Sequence, residues 1–196
     1  MATTLEQYLS CLVHGEASYP QFEQKASVLH QFTEGYSLEP LVEVLPPFAQ
    51  ALARDLPPTS TWIPEVQSNL IYCAMRDRYF DSDDAFVDFA YERNYALLAG
   101  PLYKAVFRML SSQRVSRLIA SAWGQFHRGS HLAVIESDKR HVRMQVTHPE
   151  WAYPEFLVRA LATGGRAALE IGGETGVSIE VTERKPDSSS YILQWA

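Results

Sequence analysis

Four histidines between positions 127 and 148 form the densest group of side chains that could bind a metal. They are His127, His131, His141 and His148, with Glu136 and Asp138 between them. Imidazole and carboxylate groups are ligands that zinc prefers. Histidines four residues apart can share a helical face, but Gly129 lies between the first two and interrupts a helix. We therefore predict no metal site and expect surface histidines, some of them at a helix C-terminus.

Cys73 is the candidate nucleophile. It lies in an apolar run with Leu70 and Ile71, a pattern typical of a buried helix stripe in which a thiol only packs. The Gly-x-Ser-x-Gly pattern of serine hydrolases does not occur, and the glycine-rich segment 172–176 has neither the dinucleotide-binding pattern nor a P-loop lysine. Because no catalytic constellation is evident, we expect the protein not to be an enzyme.

Composition excludes several classes of protein. The chain has 196 residues, of which 46% are hydrophobic and 20% charged, as in an ordinary globular domain. Its two cysteines, Cys11 and Cys73, do not have the spacing of a zinc ribbon or an iron–sulfur site, so a reducing cytoplasm is expected. We predict no secretion signal, no membrane span and, from the net charge of −6, no nucleic-acid binding.

Charge is divided unequally along the chain. Residues 1–100 carry 5 basic and 14 acidic side chains, whereas residues 101–196 carry 12 basic and 9 acidic ones. A basic run from Arg93 to Ile135 contains no acidic residue and directly follows an acidic stretch at 77–92. One interpretation is a surface that docks an acidic partner or an anionic ligand. The alternative, which we prefer, is that the run complements the acidic stretch within the fold or across a dimer. The docking residues would be Lys104, Arg108, Arg114, Arg117 and Arg128.

Residues 1–128 are predicted to form about seven helices, because apolar residues recur at helical spacing between proline, glycine and serine breaks. Pro20 is expected to open a helix that has Phe22 on its buried stripe, and Pro64 to lie in the first turn of another. Leu102 belongs to the apolar stripe of a later helix. Gly129 is expected to end the helical region.

Residues 129–196 are predicted to form two β-hairpins separated by a helix. Apolar and polar residues alternate over 142–147 and 177–182, and turns are expected at 137–139 and 186–190. The helix over 154–171 is rich in small residues and should end at Gly172-Gly173. We therefore predict a single α+β domain, 1–196, whose helical part packs on a four-stranded antiparallel sheet of hairpin-helix-hairpin order.

Several aromatic residues could line an apolar ligand pocket between the helices and the sheet. Trp123, Phe126 and Tyr153, with Cys73 nearby, are the candidate lining residues. The alternative is that aromatic residues at helical spacing simply fill the core.

Residues 62–66 (WIPEV), 123–129 (WGQFHRG) and 194–195 (QW) resemble an uncharacterised family of bacterial, mainly myxobacterial, proteins. The order of elements is similar to that of the superfamily of haem nitric-oxide/oxygen sensors, vinyl-reductase-type sensory domains and TRAPP tethering subunits. That resemblance implies a helical part on a four-stranded sheet, with an apolar ligand between them in several members. The haem sensors carry a Tyr-x-Ser-x-Arg signature for the haem propionates, whereas Tyr8 and Ser10 are followed here by Leu12. We therefore expect no cofactor, with haem disfavoured.

The sequence favours a non-catalytic cytoplasmic sensory or interaction module that docks a protein partner or a second copy of itself. The alternative is a domain that binds a small apolar molecule or a tetrapyrrole between its helices and its sheet.

Overall fold

Helices occupy most of the first two-thirds of the chain in the computed structural model, which describes residues 2–196 and, in that range, every side chain except that of Leu102. The predicted apolar position of Leu102 thus lies outside the described side chains. The prediction of about seven helices is close to the eight α-helices described before residue 129. These are α1 (Thr4–Cys11), α2 (Ala26–Thr33), α3 (Glu39–Val42), α4 (Pro47–Arg54), α5 (Glu65–Tyr79), α6 (Asp83–Leu98), α7 (Pro101–Met109) and α8 (Ser112–Ala122).

A three-stranded antiparallel sheet lies within this helical part, and the sequence did not predict it. Its strands β1 (Glu23–Lys25), β2 (Trp62–Pro64) and β3 (His127–Arg128) are arranged in the order β2-β1-β3. The expected helix beginning at Pro20 is therefore wrong, since α2 begins only at Ala26. Pro64 likewise ends a strand instead of lying within α5. Pro20 lies three residues before β1 and Pro64 is the last residue of β2, and these two short strands pair with each other although they are distant in sequence.

The C-terminal part confirms the predicted fold class. Strands β4 (His131–Ser137) and β5 (His141–Thr147) form one hairpin, and β6 (Ser178–Lys185) and β7 (Ser188–Gln194) form the other, around α9 (Glu155–Gly172). The order β4-β5-β7-β6 joins the hairpins through their second strands. The second turn is shorter than predicted because Ser188–Ser190 pair with β5 and β6.

Helix α9 packs between the sheet and the helical part. Gly165 allows this close approach, because a Cβ there would lie 3.1 Å from Leu193 Cδ2 on β7. On its other side α9 packs against α6, where the rings of Phe86 and Phe156 meet edge to face at 4.9 Å. As predicted, the helix ends in a left-handed Gly173, whose N–H donates to Glu170 O. In the described range, no helix is sufficiently long and apolar to cross a bilayer.

Gly129 sets the path from β3 into the C-terminal part. Its φ of +75° is in the left-handed region, and a Cβ there would lie 2.7 Å from Gln21 O. Only glycine avoids both the backbone strain and this contact with main chain that cannot move aside.

We expect Gly129→Ala to lower the free energy of unfolding by about 2 kcal/mol or more, since it combines left-handed strain with a steric clash. Gly124→Ala is the matched control, because a Cβ at Gly124 meets nothing within 4 Å and its φ is not left-handed. Urea unfolding of both variants measures the difference. Equal stability of the two variants would contradict this account of Gly129.

Candidate functional site

Helix α5 begins with a carboxyl group that is buried in the protein interior. Glu65 is 1% exposed and occupies the first position of α5, where the positive end of the helix dipole favours negative charge. Its backbone N–H donates to Phe22 O at 2.8 Å, which fixes α5 to the residue preceding β1. A buried carboxyl group requires hydrogen-bond donors, and two other segments of the chain supply them.

His127 on β3 supplies the first donor. Its Nδ1 lies 3.0 Å from Glu65 Oε1 and 3.1 Å from Oε2. Since a carboxylate only accepts hydrogen bonds, Nδ1 is assigned the proton. The register of β1 against its neighbours aligns His127 with Gln24 and Ile63 on the inner face of the sheet, where all three are buried.

Tyr153 supplies the second donor. Its hydroxyl donates to Glu65 Oε1 at 2.7 Å, and its ring meets the edge of Phe22 at 5.3 Å. Burial, followed by the charge of Glu65 and its hydrogen bond, raises the pKa of Tyr153 well above the ordinary tyrosine value. The loop that carries Tyr153 is pinned to the helical part, because Ala152 O accepts hydrogen bonds from Tyr8 Oη at 2.6 Å and Asn69 Nδ2 at 3.0 Å.

Trp123 covers one face of the His127 ring. The two rings are 4.0 Å apart between centroids and 15° from parallel, and Trp123 Nε1 donates to Ser130 Oγ at 3.0 Å. His127 Nε2 makes no hydrogen bond to any residue in the range 2–196. The fully buried side-chain atoms without a partner in that range are Ser68 Oγ and Tyr191 Oη, so Nε2 retains contact with solvent. The cluster thus has one free imidazole nitrogen.

The outer face of the same sheet carries cations around an aromatic ring. Arg128 Cζ lies 3.8 Å and Lys25 Nζ 4.3 Å from the centroid of Trp62. Arg128 also forms an ion pair with Glu23 at 3.3 Å. Arg128 is therefore engaged within the fold, unlike the other residues of the predicted docking surface.

The structure brings together two of the four predicted pocket residues. Trp123 and Tyr153 both meet the Glu65–His127 pair, whereas the side chain of Phe126 is exposed. Cys73 lies two turns along α5 from Glu65, fully buried, and burial raises the pKa of its thiol. Glu65 and His127, the centre of the cluster, were not predicted as a pair, because their contact joins the start of α5 to a strand 62 positions further along the chain.

The four histidines do not converge. His127 and His148 are buried, so the expectation of surface or helix-capping histidines is wrong for both. His141 pairs instead with the hairpin acids, its Nδ1 2.8 Å from Asp138 Oδ2. Over residues 2–196 no group of three or more His, Cys, Asp or Glu side chains is arranged to hold a metal ion. Burial lowers the pKa of His148.

Among residues 2–196, no ion pair joins the basic run to the acidic stretch, so the intramolecular part of our preferred interpretation has no ion pair to support it. Asp77 and Asp83 pair with Arg76, and Asp84 pairs with Arg159. Within the described residues, no ion pair involves the remaining four members of the predicted docking surface, Lys104, Arg108, Arg114 and Arg117. These four side chains are exposed on α7 and α8.

The two best-defined cavities among residues 2–196 are open grooves at the surface. One, of about 420 Å³, lies between α8 and β4, and the other, of about 310 Å³, lies between α9 and β6. Neither groove is lined by Trp123, Phe126, Tyr153 or Cys73, the four predicted pocket residues.

We expect Tyr153→Phe to lower the free energy of unfolding by about 1–3 kcal/mol near neutral pH, because Glu65 loses a donor. The raised pKa of Tyr153 stabilises the folded protein fully below the unfolded tyrosine pKa of about 10, and this stability is lost as the pH rises above that value. Tyr153→Phe should therefore lose less stability than the wild type between about pH 9 and about pH 11. Urea unfolding at several pH values tests this, with exposed Tyr103→Phe as control. Identical curves for the two variants would refute it.

Comparison with known proteins identifies the fold. No protein-family model matches the chain, and no curated protein matches it significantly, so neither supports the resemblance to a myxobacterial family. Among solved structures, an H-NOX protein variant from K. algicida, in the Fe(II) unliganded state, is similar with a TM-score of 0.59 and 7% identity, covering 88% of this chain and 96% of that one. An oxygen-binding H-NOX domain related to soluble guanylate cyclases is similar with a TM-score of 0.55 and 8% identity, covering 86% and 91%. The expected similarity to the haem nitric-oxide/oxygen sensors is therefore confirmed at the level of fold.

These neighbours contradict our expectation that haem is disfavoured, because H-NOX domains have a haem-binding fold. The expectation depended on one missing signature of three residues, whereas the similarity extends over more than four-fifths of the chain.

The donor chemistry of His127 fits the iron of a haem. Haem iron takes an imidazole nitrogen as axial ligand, and a ligating imidazole commonly donates its other N–H to a carboxylate. His127 has this arrangement, with Nδ1 bonded to Glu65 and Nε2 free. His148 does not, because its Nδ1 lies 2.8 Å from Pro149 O and its Nε2 3.5 Å from Ser189 Oγ. Within this chain, the H-NOX fold thus contains a buried histidine whose free nitrogen is oriented by a carboxylate.

Proposed function

We propose that this chain is a cytoplasmic sensory domain that binds a tetrapyrrole at His127, where the helical part meets the sheet part. The observation that carries the proposal is the free Nε2 of a histidine whose Nδ1 is held by buried Glu65. The H-NOX neighbours support it, since the solved structures named above hold Fe(II) or bind oxygen.

The residues around the nitrogen have distinct roles in this proposal. Glu65 orients the imidazole and keeps its proton on Nδ1, and Tyr153 holds the Glu65 carboxylate in place. A bound tetrapyrrole would supply an iron centre for a small gaseous ligand.

Trp123 provides a route from the ligand to the surface. It is the C-terminal cap residue of α8 and stacks on His127, so a ligand that displaces its ring acts directly on the end of that helix. Helix α8 carries Arg114 and Arg117 and packs against both β4 and α9. Occupancy at His127 is thereby linked to the position of a basic surface helix.

Titration with hemin, followed by the Soret absorbance band, tests the proposal. We expect saturable binding by the wild type and its loss in His127→Gln, whose amide still donates to Glu65. His131→Ala, an exposed histidine nearby in sequence, should bind as the wild type does. Circular dichroism of each variant verifies folding. Absence of a saturable Soret band in the wild type, or its persistence in folded His127→Gln, would refute the assignment, and native mass spectrometry would reveal a different small ligand.

A second candidate function is docking of a protein partner through Lys104, Arg108, Arg114 and Arg117. The specific observation is that these four exposed cations form no ion pair within residues 2–196. Exposed apolar side chains accompany them, of which Met109, at 84% exposure, is the most accessible.

We expect a partner captured by the wild-type chain to be lost on Arg114→Glu/Arg117→Glu, because both cations become repulsive toward an acidic surface. Arg54→Glu/Arg78→Glu is the matched control, since these two exposed cations on α4 and α5 give the same change in net charge. Quantitative mass spectrometry of the captured proteins measures the difference. Equal capture by the two double variants would exclude this surface as the docking site.

A further inference from the structure

A groove between α8 and β4 lies next to Arg117, one of the unpaired cations. It encloses about 420 Å³ and is lined by Arg117, Ala120, Val134, Ile135, Glu136 and Ser137. Its apolar lining comes from Ala120, Val134 and Ile135, and Ile135 is 55% exposed. The rest of the lining is polar, with Arg117, Glu136 and Ser137, so the groove is a concave surface of mixed character, of the kind that receives an amphipathic segment of another protein.

One exposed stripe of α8 lies beside the groove, and its Arg117 is part of the groove lining. Arg114, Arg117, Leu118 and Ser121 recur at i, i+3, i+4 and i+7, so they share a face of the helix, and all four are exposed. Val115 and Ser116 are buried on the opposite side. The exposed stripe therefore presents two cations followed by an apolar side chain and a hydroxyl group.

The strand side of the groove is poorly suited to pairing with another strand. β4 is an edge strand, but its register shifts between Val134 and Glu136, which places Ile135 in a bulge. A bulge breaks the regular row of hydrogen-bonding groups that an added strand requires. Glu136 is in the groove lining, and its Oε1 lies 3.5 Å from His141 Nε2. Arg114 and Arg117 on α8 set two cations against this one carboxylate.

We infer that this groove binds an acidic amphipathic helix of a partner protein, an inference that rests on the docking function proposed above. Apolar side chains of the partner at i, i+3/i+4 and i+7 would contact Ile135, Leu118 and Ala120. Its acidic side chains would meet Arg114 and Arg117. Helix α8 is 11 residues long, about 16 Å, which matches about three turns of a partner helix. Charge complementarity selects this occupant over a basic or a neutral helix.

Selection from a displayed library of helical peptides against the full chain tests the inference. We expect enriched sequences to be acidic and to carry apolar residues at helical spacing. Measured by fluorescence anisotropy, the leading peptide should bind Arg114→Glu/Arg117→Glu at least about tenfold more weakly than the wild type, and Arg54→Glu/Arg78→Glu equally well. Replacing the acidic residues of the peptide by lysine should restore binding to Arg114→Glu/Arg117→Glu. This reciprocal rescue does not occur if the substitutions merely disturb folding.

Other outcomes separate this inference from the docking function itself. Enrichment of non-acidic or extended peptides, or binding that the α8 substitutions leave unchanged, overturns the acidic-helix assignment. If no peptide binds, two other results also overturn it while leaving α8 as a docking surface. One is self-association in sedimentation that depends on Arg114 and Arg117. The other is binding to vesicles of phosphatidylserine and phosphatidylcholine with the same dependence. If none of these partners binds, both the inference and the docking function fail, and the hemin titration is unaffected.

Discussion

Burial of the Glu65 carboxylate is the constraint that organises the centre of this protein. Taking a carboxylate out of water costs several kcal/mol unless hydrogen bonds replace its hydration. The replacements come from segments that are distant in sequence, His127 on β3 and Tyr153 in the loop before α9. The dipole of α5 contributes in addition. The carboxylate therefore has both of its hydrogen-bond donors only when the helical part, the small sheet and the C-terminal part are all folded against one another.

This requirement accounts for features that would otherwise be unrelated. The strands of the small sheet are only two or three residues long. Strand β1 pairs with β2, which carries Ile63, and with β3, which carries His127, and the pairing with β3 holds His127 against Glu65. The loop before α9 is fixed through Ala152 O by Tyr8 and Asn69, which places the Tyr153 hydroxyl within reach. The imidazole is consequently held through Nδ1 by Glu65 and covered on one ring face by Trp123.

The sequence predicted the elements that are long enough to show a regular pattern of apolar residues. The four-stranded sheet and α9 were predicted because alternation over 142–147 and 177–182 and the glycine pair at 172–173 each specify one geometry. The small sheet was not, since two or three residues show no period and their partners lie about 40 to 105 positions away. Trp123 and Tyr153 were recognised as aromatic lining residues. Glu65 was not, because an acidic residue in the first turn of a helix is usually solvated, and only tertiary packing buries it.

The division of charge has a structural meaning that counting residues could not give. Acidic residues near the start of α6 are held by Arg76 and Arg159, so much of that local negative charge is matched within the fold. The cations of α7 and α8 have no such partners among residues 2–196, and a groove of mixed polar and apolar lining lies between α8 and the bulged strand β4, beside Arg117. Trp123 is the C-terminal cap residue of α8 and also stacks on His127. The surface with unmatched charge is therefore connected to His127 by one helix and one contact between rings. Helix α8 thus carries part of the surface with unmatched charge and contacts the His127 cluster through its C-terminal cap residue.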